Sequence, residues 1–177
     1  MKQIHILMTK FNNAFSNVYT LLTKTGYNHV SLALDDEEVY YSFNYKGFAI
    51  EKPKFENNRY VKVQKMLKVS IKVPDEVHDA LKASVESFVD RKEDYSYSNL
   101  GVVLCYLNIP HRFKKRYFCS QFVMELLKKH QIAYQGFCST CKPHHFDQKV
   151  KYLYEVKQKS LKRLIKSTMY SFFMKKN

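Results

Sequence analysis

The sequence predicts an α+β fold in which a mostly antiparallel sheet packs against helices. Polar and apolar residues alternate as in strands through the first half of the 177-residue chain, whereas apolar residues recur at helical spacing through the second. A hydrophobic content of 45% with only 4 Gly and 4 Pro indicates one packed core without a long linker. The strand patterns lie at 3–9, 27–35, 39–43, 60–63, 67–73 and 152–156, and the helical patterns at 14–23, 74–89, 100–107 and 119–129.

Boundary residues support these elements one by one. Gly26 follows the first helical pattern, as glycine commonly follows a helix C-terminus. The polar run Asp35–Glu38 separates two strand patterns and predicts a hairpin. Pro74 opens the next helical pattern and is followed by two acidic residues, which favour a first helical turn. The helical pattern at 119–129 ends in two lysines, which suit the negative end of a helix dipole.

Cys119 is predicted to lie in the first turn of that last helix. The unpaired N–H groups and positive dipole at a helix start favour a thiolate over a thiol. The basic residues Lys115 and Arg116 just upstream act in the same direction. Cys119 is therefore a candidate nucleophile if a base can reach it, although a cysteine in an amphipathic helix is more often a small core residue.

His29 is the candidate base, because it lies on the first strand of the predicted hairpin, ninety residues before the cysteine. A strand histidine that faces a cysteine at a helix start is the arrangement of papain-like enzymes, where imidazole and thiol form an ion pair. A lone strand histidine is more often structural. The residue types alone leave both interpretations open.

Three segments resemble the circularly permuted branch of the NlpC-type papain-like cysteine hydrolases, in which the histidine strand precedes the cysteine helix. They are Tyr27–Asp35, Tyr41–Phe43 and Tyr117–Val123, and the stretches Ile4–Thr9 and Asn99–Pro110 also resemble small bacterial members of this branch. The resemblance covers roughly residues 3–156. It implies a permuted papain-like domain at 1–156 in which Cys119 is the nucleophile and His29 the base.

A third polar residue usually orients the histidine in such enzymes. At the place where the resemblance puts it, the chain offers Tyr40, Tyr41 and Ser42, none of which is an obvious orienter. The Ser42 hydroxyl could accept a weak hydrogen bond from the ring. Glu51 could fold back onto it, although a charged residue on a strand is more often solvated. Both remain candidates for the third role.

The remaining cysteines predict no metal site and no cofactor. Cys105 lies in an apolar run and is most simply a core thiol. Cys138 and Cys141 form a C-x-x-C motif followed by two histidines, which suggests zinc. A structural zinc site normally needs a second, separate ligand pair, and the nearby Gly136 and Pro143 indicate a loop. Loop cysteines are therefore the expectation.

The start of the chain has no targeting signal that we recognise. Its apolar run is broken by His5 and Lys10 and is too short for the apolar region of a signal peptide. No window approaches the ~18 uninterrupted apolar residues of a membrane-spanning helix. We therefore predict a cytoplasmic protein, with peripheral attachment to the inner face of the membrane as a further expectation.

The last segment, 157–177, predicts a basic amphipathic helix. The whole chain carries 30 Lys and Arg against 16 Asp and Glu, and this tail contains no acid at all. Such a helix is typical of an interfacial anchor on an anionic membrane, although a terminal helix docked on the core fits equally well. Nucleic acid ranks third, since no recognition motif accompanies the charge. The apolar face comprises Leu161, Leu164, Ile165, Met169, Phe172 and Phe173.

Two hypotheses of function follow. The first is a cysteine hydrolase or acyltransferase that attacks an amide, ester or thioester of a small acyl, peptide or lipid-type substrate. The second is a catalytically inactive basic adaptor of the same fold that binds anionic membrane or, less well supported, nucleic acid. The paired His29 and Cys119 motifs favour the first, and the lack of an obvious third residue favours the second.

Overall fold

The computed structural model describes residues 1–12, 26–35, 39–52, 62–133 and 136–146. The helix predicted at 14–23, the strand at 152–156 and the tail at 157–177 lie outside the described residues. The α+β prediction is confirmed, because a five-stranded antiparallel sheet is followed along the chain by three α-helices. The strands are β1 (Lys2–Asn12), β2 (His29–Ala33), β3 (Tyr40–Asn44), β4 (Gly47–Glu51) and β5 (Lys62–Val73).

The sheet has the order β4-β3-β2-β1-β5, and every neighbouring pair is antiparallel. Alternate residues Ile4, Ile6 and Met8 of β1 are buried in the main core. Leu7, which points to the other face, packs in a small second cluster. The strand patterns at 60–63 and 67–73 were predicted as separate, whereas the structure has one continuous β5, because β1 pairs with it along the whole length of both strands.

A tight turn between β3 and β4 sets the direction of β4. Gly47 has φ +107°, a conformation that side chains disfavour, and a Cβ there would lie 3.0 Å from the Tyr95 carbonyl oxygen. The Asn44 side-chain oxygen accepts a hydrogen bond from the Lys46 N–H inside this turn. Glycine at position 47 is therefore needed both for the turn and for the close approach of the next segment. The turn determines where the last residue of β4, Glu51, is placed.

The helices are α1 (Asp75–Asp90), α2 (Asn99–Tyr106) and α3 (Cys119–Lys129). A short parallel pair, β6 (Ser96–Tyr97) and β7 (Arg116–Tyr117), comes just before α2 and α3. Because the pair fixes the two segments side by side, the starts of α2 and α3 lie close together. The Ser98 hydroxyl caps α2 by accepting a hydrogen bond from the Gly101 N–H. Within the described part of the chain, no helix has the length and apolar character needed to cross a membrane.

Aromatic rings join the sheet to the helices. Phe43 of β3 is fully buried and contacts five other rings at centroid distances of 5.1–6.4 Å. Phe122 of α3 is one of them, so this cluster holds the start of α3 against β3. The other four rings belong to Phe48, Phe88, Tyr95 and Tyr117.

Phe43→Ala is expected to lower the free energy of unfolding by about 3–5 kcal/mol, because a buried aromatic side chain leaves a cavity that its neighbours refill only in part. Urea denaturation followed by circular dichroism measures the loss. Tyr45→Ala, whose side chain is exposed on the adjacent turn, is the control and should change stability by less than about 0.5 kcal/mol. Equal losses in the two variants would mean that the ring cluster does not stabilise the fold.

Candidate active site

Cys119 is the first residue of α3 and is almost completely buried. Phe118 before it is extended, with φ −118° and ψ 164°, so the chain enters the helix directly from β7. The first helical hydrogen bond runs from the Phe122 N–H to the Phe118 carbonyl. The N–H groups of the three residues between them therefore have no partner within the helix and are aligned with its positive end. The thiol thus sits where negative charge is favoured.

His29 is the first residue of β2, opposite Thr9 of β1. Its ring packs against Phe11 at a centroid distance of 5.6 Å. The neighbouring Asn28 fixes this end of the strand pair, because its side-chain amide both accepts from the Phe11 N–H and donates to the Phe11 carbonyl, each at 3.0 Å. The histidine is therefore held at the end of an inner strand of the sheet rather than in a loop.

Glu51 contacts the imidazole. Its two carboxylate oxygens lie 3.1 and 2.9 Å from His29 Nε2, and its side chain is only 25% exposed. Glu51 is therefore not the solvated carboxylate that is usual on a strand, since it folds back onto the histidine. Ser42, the other candidate for the third role, is fully buried, and its hydroxyl donates to the Val30 carbonyl at 2.7 Å. That hydrogen bond joins β3 to β2 and commits the Ser42 hydroxyl to Val30 rather than to the His29 ring.

Cys119 also interacts with His29 closely enough to raise the pKa of the imidazole, so the ring lies between the carboxylate and the thiol. Because Nε2 faces Glu51, Nδ1 is the nitrogen left for the sulfur. Burial by itself lowers the pKa of His29, but the Glu51 charge and the hydrogen bonds that the ring donates toward Cys119 and Glu51 outweigh it and raise the pKa to about 10. At neutral pH the imidazole is therefore positively charged between two groups that can carry negative charge.

A small cavity of about 20 Å³ adjoins Cys119. It has room for about one water molecule or one carbonyl group. Tyr97 lines this cavity, and burial together with the nearby Cys119 raises the pKa of its phenol, which therefore stays protonated and can donate a hydrogen bond. The other lining residues are Asn28, Val102, Cys105, Tyr106, Phe118 and Ser120.

The other three cysteines are less suited to be nucleophiles. Burial raises the pKa of Cys105 to about 12 and raises the pKa values of Cys138 and Cys141 as well. The Cys141 carbonyl accepts a hydrogen bond of 2.6 Å from the Ser120 hydroxyl, so the C-x-x-C segment braces the start of α3. In the described ranges, no group of three or more His, Cys, Asp or Glu side chains is arranged to hold a metal ion.

A much larger cavity lies on another side of α3. It measures about 660 Å³ and is lined by residues such as Phe88, Arg112, Glu125 and Phe137. None of His29, Glu51 and Cys119 lines it. Size therefore does not identify the candidate active site here; the contacts among ionisable side chains do.

No protein-family model matches the chain, and no curated protein matches its sequence. The site therefore has to be judged on its own geometry. Sequence reasoning named His29, Cys119 and Glu51, which the structure brings together, but it did not point to Asn28 and Tyr97 beside them. An asparagine beside a histidine and a tyrosine before a helix cap are both common, so neither residue gave a signal.

Proposed function

We propose that Cys119, His29 and Glu51 form the catalytic triad of a cysteine hydrolase or acyltransferase with a permuted papain-like fold. The observation that supports this most is the continuous chain of contacts from the Glu51 carboxylate through the His29 ring to the Cys119 thiol. A carboxylate, an imidazole and a thiol in this order, with the thiol at a helix start, are the arrangement by which enzymes activate a nucleophile. The order of the strand histidine before the helix cysteine fits the permuted arrangement.

In this mechanism the proton given up by Cys119 already lies on His29, as an imidazolium beside a thiolate, and the sulfur attacks the carbonyl carbon of an amide, ester or thioester. The oxyanion is stabilised by the N–H groups at the start of α3 and by the Tyr97 hydroxyl, which borders the same cavity. The tetrahedral intermediate then expels the leaving group, which takes the proton from His29. Water or another acceptor, deprotonated by His29, attacks the acyl-enzyme and releases Cys119.

Glu51 has two roles in this scheme. Its contact with Nε2 holds the ring so that Nδ1 stays directed at the sulfur, and its charge stabilises the imidazolium form. The inactive adaptor of the same fold is the alternative hypothesis, and it drew support from the lack of an obvious third residue. The position of Glu51 supports the enzyme instead.

Trapping of the acyl-enzyme tests the proposal. Activated esters and thioesters of increasing acyl length are incubated with the protein, and intact-mass and peptide mapping locate the adduct. We expect acylation at Cys119, none in Cys119→Ser, and a rate roughly 10²–10⁴-fold lower in His29→Ala, which lacks the general base. Ser42→Thr, which keeps a hydroxyl for Val30, is the control and should acylate normally. An adduct on another cysteine, or none at all, would overturn the proposal.

A further inference from the structure

The outer face of α2 is an exposed apolar ridge. Of the eight exposed large hydrophobic residues in the described chain, four fall between positions 100 and 109. Three of them recur at i, i+3 and i+7 and so share one side of the helix. A concentration of this kind marks an interaction surface, whereas single exposed apolar residues are ordinary. We call the four residues the α2 ridge; they are Leu100, Val103, Leu107 and Ile109, each 48–63% exposed.

The opposite face of α2 is already occupied. Gly101 and Cys105 are buried, and Val102, Cys105 and Tyr106 line the cavity beside Cys119. A Cβ on Gly101 would lie 3.3 Å from the Phe118 ring and closer still to the Ser98 side chain, so the helix is packed tightly against the start of α3. The ridge therefore cannot turn inward, because the inner face of α2 is fixed in the protein. One short helix separates the ridge from the cavity.

The chain segment that contains the ridge carries charges of one sign only. The sequence from Tyr95 to Met124 contains no Asp or Glu, and the exposed segment after the ridge carries Arg112, Lys114, Lys115 and Arg116. Two of these cations pair with acids at the edge of the region, Arg112 with Glu125 and Lys115 with Asp94. Lys114 and Arg116 have no acidic partner among the described residues.

A further cation, Lys142, approaches from the C-x-x-C segment. Its ammonium nitrogen lies 3.2 Å from the Asn108 side-chain oxygen and 5.5 Å from the centre of the Tyr106 ring. Cations therefore follow the ridge along the chain and also approach it from another segment. An apolar strip bordered by cations complements an anionic bilayer, into which aliphatic side chains insert while lysine and arginine stay at the headgroups.

We propose that the α2 ridge, with the basic segment that follows it, docks this protein on anionic lipid membranes. The composition favours lipid over the other partners of a basic surface. The ridge is entirely aliphatic, so it cannot stack on nucleic-acid bases, and it lacks the Trp and Tyr anchors of protein interfaces. Docking brings the cavity of Cys119 close to the headgroup layer. If the proposed function holds, the acyl donor is then a lipid-borne ester or thioester.

The absence of tryptophan from the chain allows a direct test in the full-length protein. Val103→Trp introduces a single fluorophore on the ridge, and Tyr45→Trp places one on the exposed β3–β4 turn as a matched control. With phosphatidylglycerol–phosphatidylcholine vesicles at low salt, we expect a blue shift for Val103→Trp alone, reversed as salt screens the cations. No shift at position 103, or the same shift at both positions, would overturn the proposal.

Vesicle flotation separates the ridge from the tail, which the sequence also predicts to bind such vesicles. Leu100→Gln with Leu107→Gln should weaken binding roughly tenfold or more, because two inserting side chains are lost. Tyr45→Gln with Ile50→Gln, at equally exposed positions, should bind as the native protein does. If instead only Leu164→Gln with Phe172→Gln in the tail reduces binding, the ridge is not the docking surface.

Flotation of the Cys119→Ser variant tests membrane docking separately from the acylation of Cys119. Equal binding by Cys119→Ser and the native protein supports the docking surface even if no acyl-enzyme is ever trapped, which would overturn only the proposed function. Binding to an RNA oligonucleotide without binding to anionic vesicles would overturn the docking proposal and assign the cations to nucleic acid.

Discussion

Cys119 is expected to react with iodoacetamide at pH 6 at least roughly tenfold faster than any of the other three thiols, because each pKa unit changes the thiolate fraction tenfold. Burial raises the pKa values of Cys105, Cys138 and Cys141, so their thiolates are scarce at this pH. Cys119 alone has a charged imidazole as a hydrogen-bond partner. Brief labelling followed by peptide mapping gives the four rates.

His29→Ala should remove this advantage, since the thiolate then loses the cation that stabilises it. His130→Ala is a suitable control, because His130 contacts Ser84 at the far end of α3 and should leave the Cys119 rate unchanged. If Cys138 or Cys141 labels faster than Cys119 in the native protein, Cys119 is not the nucleophile. If His29→Ala labels at the native rate, the imidazole does not activate the sulfur.

Glu51→Gln is expected to lower the pKa of His29 from about 10 by roughly 1–3 pH units, the effect of losing an opposite charge at contact distance. The amide keeps the size of the side chain and can still accept a hydrogen bond from Nε2, so the charge is the main change. An NMR titration of the histidine ring resonances measures the midpoint. Glu125→Gln is the matched control, because Glu125 pairs with Arg112 and not with His29. A midpoint unchanged in Glu51→Gln would show that the carboxylate does not hold the proton.

The same substitution should change how stability depends on pH. The pKa of His29 is raised from its ordinary 6.5 to about 10 in the folded state, so the folded protein binds this proton more tightly than the unfolded chain. The stabilisation is fully present below about pH 6.5 and is lost as pH rises through about 10. Glu51→Gln should be less stable than the native protein by about 1.5–3 kcal/mol at pH 6.5, the value of a hydrogen bond to a charged group. Urea denaturation at the two pH values should show that this difference narrows at pH 10.

The fold class could be predicted because the spacing at which apolar residues recur is a local property of the chain. Alternation at 3–9 and 67–73 predicted β1 and much of β5, and the helical spacing after Pro74 predicted α1 almost to the residue. Burial was harder to predict. No pattern in the sequence marks His78 of α1 as a core residue, but it is fully buried beside Asp35 and Asp79, 3.0 and 3.2 Å from its ring nitrogens. Those partners come from a loop and from α1 itself, and only folding brings the loop to the helix.

The sequence by itself determined the strand that carries His29, the helix that begins at Cys119 and the order of the two along the chain, because each depends on neighbouring residues and their period. The tertiary structure decided which residue is the partner of His29. Glu51 and Ser42 are both strand residues, and nothing in their local sequence separates them. The Gly47 turn sets the path of β4, and the packing of β3 on β2 commits the Ser42 hydroxyl to Val30. A contact between residues far apart in sequence depends on the path of the whole chain, so the contact between Glu51 and His29 became visible only in the folded protein.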